Sequence, residues 1–242
     1  MADSIIADDV VVEEDVVIGH GCTIYPNTII KAGTTIYPHC MIGEPQPEFF
    51  RTGDAYHKHP TVIGNNNIIR PYTNISEGVT VGDNCHFGER VLVRNGTLIG
   101  DNVGIGNLCD LQADVTIGDH TRLHSNVHLG RFTTLGNYVW IFPYAVFTND
   151  PYPPHGNLQG STVYDYSMVA VHCTVMPGIT IGKNSLLGSH SLLTKNIEED
   201  ELWVGSPAKF KCNLSDVKGE GDEALYPWKE HLKVQRGYPW QT

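Results

Sequence analysis

An apolar side chain returns at every sixth residue along most of this chain. The series runs Ile63, Ile69, Ile75, Val81, Phe87, Val93, Ile99, Ile105, Leu111, Ile117, Leu123, Leu129, Leu135, Ile141 and Phe147. An earlier run holds Ile6, Val12, Ile18, Ile24, Ile30, Ile36 and Ile42, and a later one Val163, Val169, Val175, Ile181, Leu187 and Leu193. An amphipathic helix repeats every 3.6 residues and a two-sided strand every two, so neither produces this step. A short repeat sustained over many copies implies a solenoid, in which each turn buries its apolar residue against the next.

The intervening residues follow the same clock. Four positions after each apolar residue stands a small or β-branched one, such as Thr28, Thr34, Val79, Thr97, Val103, Val115, Thr121, Val127, Thr133 or Ser185. One position after it is often glycine, as at Gly19, Gly64, Gly82, Gly100, Gly118 and Gly182. These glycines are expected to serve the tight corner that follows a very short strand. The pattern resembles the hexapeptide repeat of the left-handed parallel β-helix over roughly residues 6–200. In that family three hexads close one triangular coil, so residues 18 apart stack on neighbouring strands about 4.8 Å apart. The expectation is an all-β, left-handed parallel β-helix over residues 1–200. Loop insertions fall at 43–62 and 148–162, and a short, partly helical C-terminal tail occupies 201–242. A right-handed β-helix or a propeller does not keep a strict six-residue step.

Charge and composition narrow the partners. A formal net charge of −11 argues against nucleic acid or an anionic membrane. No apolar run approaches the roughly 20 residues of a membrane span. Residues 1–12 carry three Asp and no Lys or Arg, unlike a secretory signal. A cytoplasmic location is expected. The charge is uneven, however: eight of the 16 Lys and Arg lie beyond residue 180, a local basic zone able to hold a phosphorylated ligand or simply a solvated tail. Cys22, Cys40, Cys85, Cys109 and Cys173 share the small inward position, where a free thiol packs as a small hydrophobe. There is no Cys-x-x-Cys spacing, and no metal site is expected.

The repeat breaks twice, and loops on a rigid scaffold are where function concentrates. The breaks read GEPQPEFFRTGDAYHKHPTV from Gly43 and TNDPYPPHGNLQGST from Thr148. The second leaves the face that carries Ile75, Val93, Leu111, Leu129 and Phe147; if the first spans a single corner, it leaves from that face too, and the two wall a cleft. The tail contains Tyr226, Trp228, Tyr238 and Trp240 and is too aromatic to stay solvated, so it is expected to fold back over a coil or a neighbouring subunit.

Outward polar residues on that face supply candidate chemistry. Asp110 and His128 precede Leu111 and Leu129 and lie 18 apart, so they should stack on adjacent strands. A carboxylate beside an imidazole orients it and raises its basicity. His128 is the candidate base, Asp110 its partner, and His124, beside Leu123, a second outward candidate. Asn149, Asp150 and Tyr152 open the second loop and are the candidate substrate contacts. His172 and His190 also stack by the 18-residue rule, at a corner.

Two segments carry a closer resemblance. IGEPQPEFFRTG with TVIGNNNIIRPYTNI is similar to the UDP-N-acetylglucosamine O-acyltransferases of lipid A synthesis. FTNDPYPP, followed by VMPGITIGKNSLLGSHSLLTKNI and VGSPAK, is similar to nucleotide-sugar N-acetyltransferases acting on dTDP- or UDP-amino sugars. The lipid A enzymes have a larger helical C-terminal domain, and their catalytic histidine aligns with Ala113 here. The resemblance therefore implies an acetyl-CoA-dependent N-acetyltransferase of bacterial surface-glycan synthesis, a homotrimer with active sites between subunits. It also implies that Ser189 lines the pantetheine arm, that Lys195 and Lys209 contact phosphate, and that Pro207 and Ala208 pack near adenine. Sugar O-acylation or transfer of a longer acyl chain is the alternative. A γ-type carbonic anhydrase, a zinc enzyme on the same coil, needs three His, two of them 36 residues apart; no such pair exists here, and two coils beyond His86 stands Arg122. A non-catalytic scaffold, such as an ice-binding helix, needs flat ranks of Thr that this chain does not show.

Overall fold

A computed structural model describes residues 4–46, 59–219, 222, 225 and 226. Nearly every hexad up to residue 193 contributes one very short strand followed by a turn. The strands sort into three parallel sheets in which neighbours are three strands apart in sequence, so the chain winds as a three-sided coil. This is the expected left-handed β-helix. The faces are named here by one inward residue each: the Leu123 face (Phe87, Ile105, Leu123, Ile141), the Leu129 face (Val93, Leu111, Leu129, Phe147) and the Leu135 face (Ile99, Ile117, Leu135, Val163). Register within each unbroken stretch is 18 residues, as in Asp110↔His128 and Leu111↔Leu129.

The core is the axis of the coil. From Ile24 onward the six-step apolar residues are essentially sealed from water, and the small residues four positions later seal with them. Cys22, Cys40, Cys85, Cys109 and Cys173 are free and buried there. Most inward threonines bond their hydroxyls: Thr34, Thr73, Thr97 and Thr121 each donate to a main-chain carbonyl of the next coil, whereas the buried Thr28 hydroxyl makes no hydrogen bond. Those bonds satisfy groups which would otherwise be costly to bury.

The corners correct one expectation. The left-handed backbone falls three residues after each apolar position rather than at the glycine one residue after it. Asn66, Asn84, Asn102 and Asn126 take φ between 54° and 62° there, and Leu108 (59°), Phe132 (67°) and Tyr138 (56°) share the left-handed region. Asn tolerates this region, whereas larger side chains pay about 1 kcal/mol or more. Stacking offsets part of that cost: Tyr138 lies between His120 (4.6 Å) and Tyr166 (5.1 Å), and His172 between Tyr144 (4.8 Å) and His190 (5.0 Å).

The glycine one residue after the apolar position answers to crowding between coils. A Cβ on Gly82 would sit 2.7 Å from the backbone of Gly100 and 2.3 Å from the Asp101 carboxylate. That carboxylate is held in place because it accepts the amide of Asp83 at 2.8 Å, and Asp101 and Asp119 give their own amides to the carboxylate of Asp119 and the side chain of Asn137. Glycine and the following Asx are thus one device: the acid folds over the coil beneath, where only hydrogen fits.

Both insertions leave the same corner. One lies between Met41–Glu44 on the Leu129 face and Thr61–Ile63 on the Leu135 face, the other between Val146–Phe147 and Thr162–Val163 on the same two faces. Residues 47–58 of the first lie outside the described residues. In the tail, Glu201–Gly205 adds to the Leu123 sheet beside Leu186–Leu187 and turns back as Ala208–Asn213. A 3-10 turn follows at Leu214–Asp216, with Leu214 buried against Met168 and near Trp140 and Tyr226. Trp228, Tyr238 and Trp240 lie outside the described residues.

Opposite effects are expected at two corner positions. Leu108→Asn, at a left-handed position whose side chain is half exposed, should raise stability by about 1 kcal/mol. Gly82→Ala should lower it by about 2 kcal/mol through the clash with Gly100. Thermal or urea unfolding of the two variants checks both signs.

Candidate active site

Asp110 and His128 meet as the 18-residue register requires. His128 Nδ1 lies 3.0 Å from Asp110 Oδ2, with both side chains about a third exposed, at 37% and 35%. Leu92 lies beneath Asp110 in the same column and Val146 above His128, so the pair is flanked by apolar side chains along the column. A carboxylate on Nδ1 selects the tautomer with hydrogen there, which leaves the Nε2 lone pair as the base. The His128 hydrogen bond is the main cause holding the Asp110 carboxyl below its usual range; the charges of His128 and Arg94 add to it, against the opposing effect of burial.

Two partners of the pair were missed in the sequence. Gln112 Nε2 donates to Asp110 Oδ2 at 3.1 Å, and Arg94 Nε stands 3.7 Å from Asp110 Oδ1. Both occupy the position just after the apolar residue, in one column 18 apart. The register that found Asp110 and His128 would have found them had it been applied to that column.

The second loop leaves the strand one coil above His128. Asn149 lies over Gly130, two residues beyond His128: a Cβ on Gly130 would meet the Asn149 side chain at 3.1 Å. Asp150 is spent largely on the loop itself, its carboxylate accepting the amides of Tyr152 at 3.0 Å and Gly156 at 3.5 Å. Tyr152 projects into solvent at 77% exposure. The loop's return is fixed by Gly160, where a Cβ would fall 1.9 Å from the Phe132 carbonyl. At the stem of the first loop, Glu77 is buried and accepts the amide of Gln46 at 3.1 Å; burial pushes its carboxyl upward.

His124 belongs to different surroundings. Its ring stacks on Phe142 (5.1 Å) and Trp140 (5.6 Å), and burial lowers its imidazole's proton affinity. It lines a hollow of about 260 Å³ on the Leu123 face with His86, Arg122, Gly88, Gly104 and Gly106. Neither Asp110 nor His128 lines that hollow.

The residues assigned to CoA divide between two places. Gly188 donates its amide to Trp203 O at 2.8 Å, and Gly205 donates to Ser191 Oγ at 3.0 Å. Ser189 is exposed and lies between Gly188 and Ser191, near the hairpin whose turn holds Pro207 and whose register pairs Gly205 with Ala208. Lys209 is on the returning strand, opposite Val204. Lys195 follows Leu192–Leu193 and so leaves from the corner that bears both loops. Among the described residues no group of three or more His, Cys, Asp or Glu is placed to hold a metal ion.

Comparison with known proteins places the repeat. The bacterial transferase hexapeptide (six repeats) model matches residues 60–95 and 96–131. The galactoside O-acetyltransferase of Escherichia coli is 28% identical over 91 residues, 34% of this chain and 45% of that protein. Gamma carbonic anhydrase 2 of Arabidopsis thaliana mitochondria is 34% identical over 61 residues, 24% of this chain and 22% of that protein. The chain thus spans less than half the length of these curated relatives. The crystal structure of Arabidopsis UDP-N-acetylglucosamine acyltransferase shares the fold, with a TM-score of 0.65 and 16% identity over 88% of this chain and 73% of that one.

Gly160→Ala should release the second loop. Limited proteolysis within residues 148–161 is expected to become several-fold faster while the far-ultraviolet spectrum of the coil is retained. Asp110 gives a pH signature with a definite sign. A carboxyl held below its unfolded value contributes stability that is present above the ordinary Asp range and lost as pH falls through the folded value. The difference in melting temperature between wild type and Asp110→Asn should therefore be largest near neutrality and narrow on acidification.

Proposed function

We propose that this hexapeptide-repeat protein is an acetyl-CoA-dependent N-acetyltransferase acting on the amino group of a nucleotide-linked amino-deoxy sugar. The observation that carries the reading is the Asp110–His128 pair, a third exposed and on the face from which both loops leave. Acetyl transfer to an amine needs a neutral nitrogen beside the thioester carbonyl, a route for the departing proton and relief for the oxyanion. His128 Nε2 takes the proton from the attacking nitrogen, and Asp110 keeps the ring oriented and stabilises it when charged. The C–S bond breaks as the C–N bond forms, and the leaving thiolate takes up a proton. Asn149 lies over Gly130, just beyond the strand of His128, and is offered to a sugar oxygen. Asp150, already bonded to its own loop, retains lone pairs for an ammonium or hydroxyl.

In this reading the acetyl-CoA arm runs along the last coils, past Ser189 and the hairpin turn at Pro207 and Ala208. Lys209 and Lys195 leave from different places on one chain, which fits a homotrimer whose CoA site is shared between neighbouring subunits. The enzyme would work in the cytoplasm on precursors of a bacterial surface glycan. Among the described residues no helix is long and apolar enough to cross a membrane. Sugar O-acylation is the second reading, favoured by the likeness to a galactoside O-acetyltransferase.

Release of thiol from acetyl-CoA, measured against a panel of dTDP- and UDP-linked amino sugars, tests the proposal. One amino sugar should support turnover, and His128→Asn should reduce kcat by about 10²–10⁴-fold. Turnover with a hydroxyl acceptor in place of the amine would give the O-acyl reading precedence; CoA binding without turnover on any acceptor would defeat both. The double variant Lys195→Ala, Lys209→Ala should raise the KM for acetyl-CoA, and an unchanged KM would remove both lysines from the site.

A further inference from the structure

Asp110 carries one oxygen that the His128 hydrogen bond does not explain. Oδ2 is fully used, by His128 Nδ1 at 3.0 Å and Gln112 Nε2 at 3.1 Å. Oδ1 is shut away from water and makes no hydrogen bond. A buried, unbonded carboxylate oxygen is expensive unless a cation stands close. The cation here is Arg94, one coil below, with Nε 3.7 Å from Oδ1 and its side chain 46% exposed. That separation is an ion pair and too long for a hydrogen bond.

The surroundings leave Arg94 little competition. The groups that act on Asp110 are His128 above, Arg94 below and the neutral Gln112 beside them. Leu92 and Val146 continue the column on either side. A cation on the far side of the carboxylate draws its charge away from the imidazole. The Asp110–His128 unit then binds a proton less tightly than a carboxylate and imidazole alone would.

We propose that Arg94 is a positioning residue of this site: it holds the second oxygen of Asp110 and, through it, sets the pH above which the pair is an available base. The inference rests on the acetyl-transfer reading for its kinetic consequence only. Its electrostatic content is a property of the unliganded protein. Arg94 reaches the reaction through Asp110 and has no assigned contact with the amine or the thioester.

Arg94→Gln and Arg94→Lys separate this role from a merely structural one. In Arg94→Gln the acid limb of the kcat/KM profile should move to higher pH and the melting temperature near neutrality should fall modestly, with the KM for acetyl-CoA little changed. Arg94→Lys should return the limb towards wild type, since a charge and not a shape is required. The same variants can be followed without turnover by carbon-13 NMR of the Asp carboxyls, the Asp110 signal being identified by its loss in Asp110→Asn. The Asp110 midpoint should rise in Arg94→Gln and fall back in Arg94→Lys. A midpoint and acid limb both unmoved by Arg94→Gln would overturn the proposal. A midpoint that moves in a protein with no acetyl transfer would uphold Arg94's hold on the pair and reject the catalytic reading alone.

Discussion

Every strand here is too short to stand by itself, and the molecule depends on main-chain hydrogen bonds between residues one coil apart. Asp110 N to Val127 O at 3.0 Å and Gln112 N to Leu129 O at 2.9 Å are typical rungs. Each contributes about 1 kcal/mol net, and a two-residue strand offers too few of them to offset the entropy of fixing its own backbone. Stability therefore accumulates only by stacking, with each coil serving as template for the next. What the sequence must supply is a repeat that never slips. The inward residue every six positions does that, because a slip of one would turn the apolar side chain out into water.

The same constraint explains the composition of the corners. Three turns per coil must each place a residue in left-handed backbone, and glycine is the usual solution only where no side chain is needed. Here many corners keep Asn, His, Tyr or larger residues, and these build ladders along the edges of the prism. His120, Tyr138 and Tyr166 form one, and Tyr144, His172 and His190 another. A strained backbone position is repeated at constant spacing, so where rings recur one coil apart they stack. The constant spacing of the coil thus sets part of a local cost against a lateral contact.

A scaffold held this rigidly is suited to placing two polar groups and keeping them placed. Asp110 and His128 are in contact because register puts them there, with no loop required to bring them together. Arg94 and Gln112 come from the adjoining column by the same rule. The second loop has the complementary role: it leaves the strand one coil above His128 and brings Asn149 over Gly130. His124 shows the limit of the counting rule. It was placed outward correctly, but the ring stack with Trp140 and Phe142 and the hollow it lines could not be read from its phase.

The sequence alone determined the coil, its three faces, the inward threonines and cysteines, the two breaks and the Asp110–His128 contact. All of these follow from periodicity, and a period of six with a coil of 18 leaves no freedom in which residue lies above which. Tertiary structure alone decided that Asp150 braces its own loop, that Glu77 is buried at the stem of the first, and that glycine beside the apolar position answers to a neighbouring carboxylate instead of a turn. It also decided that Asp110 keeps a buried oxygen facing Arg94. These depend on side-chain rotamers and on loop paths, which no repeat dictates, because a side chain's direction is set by what packs against it from the coil above and below.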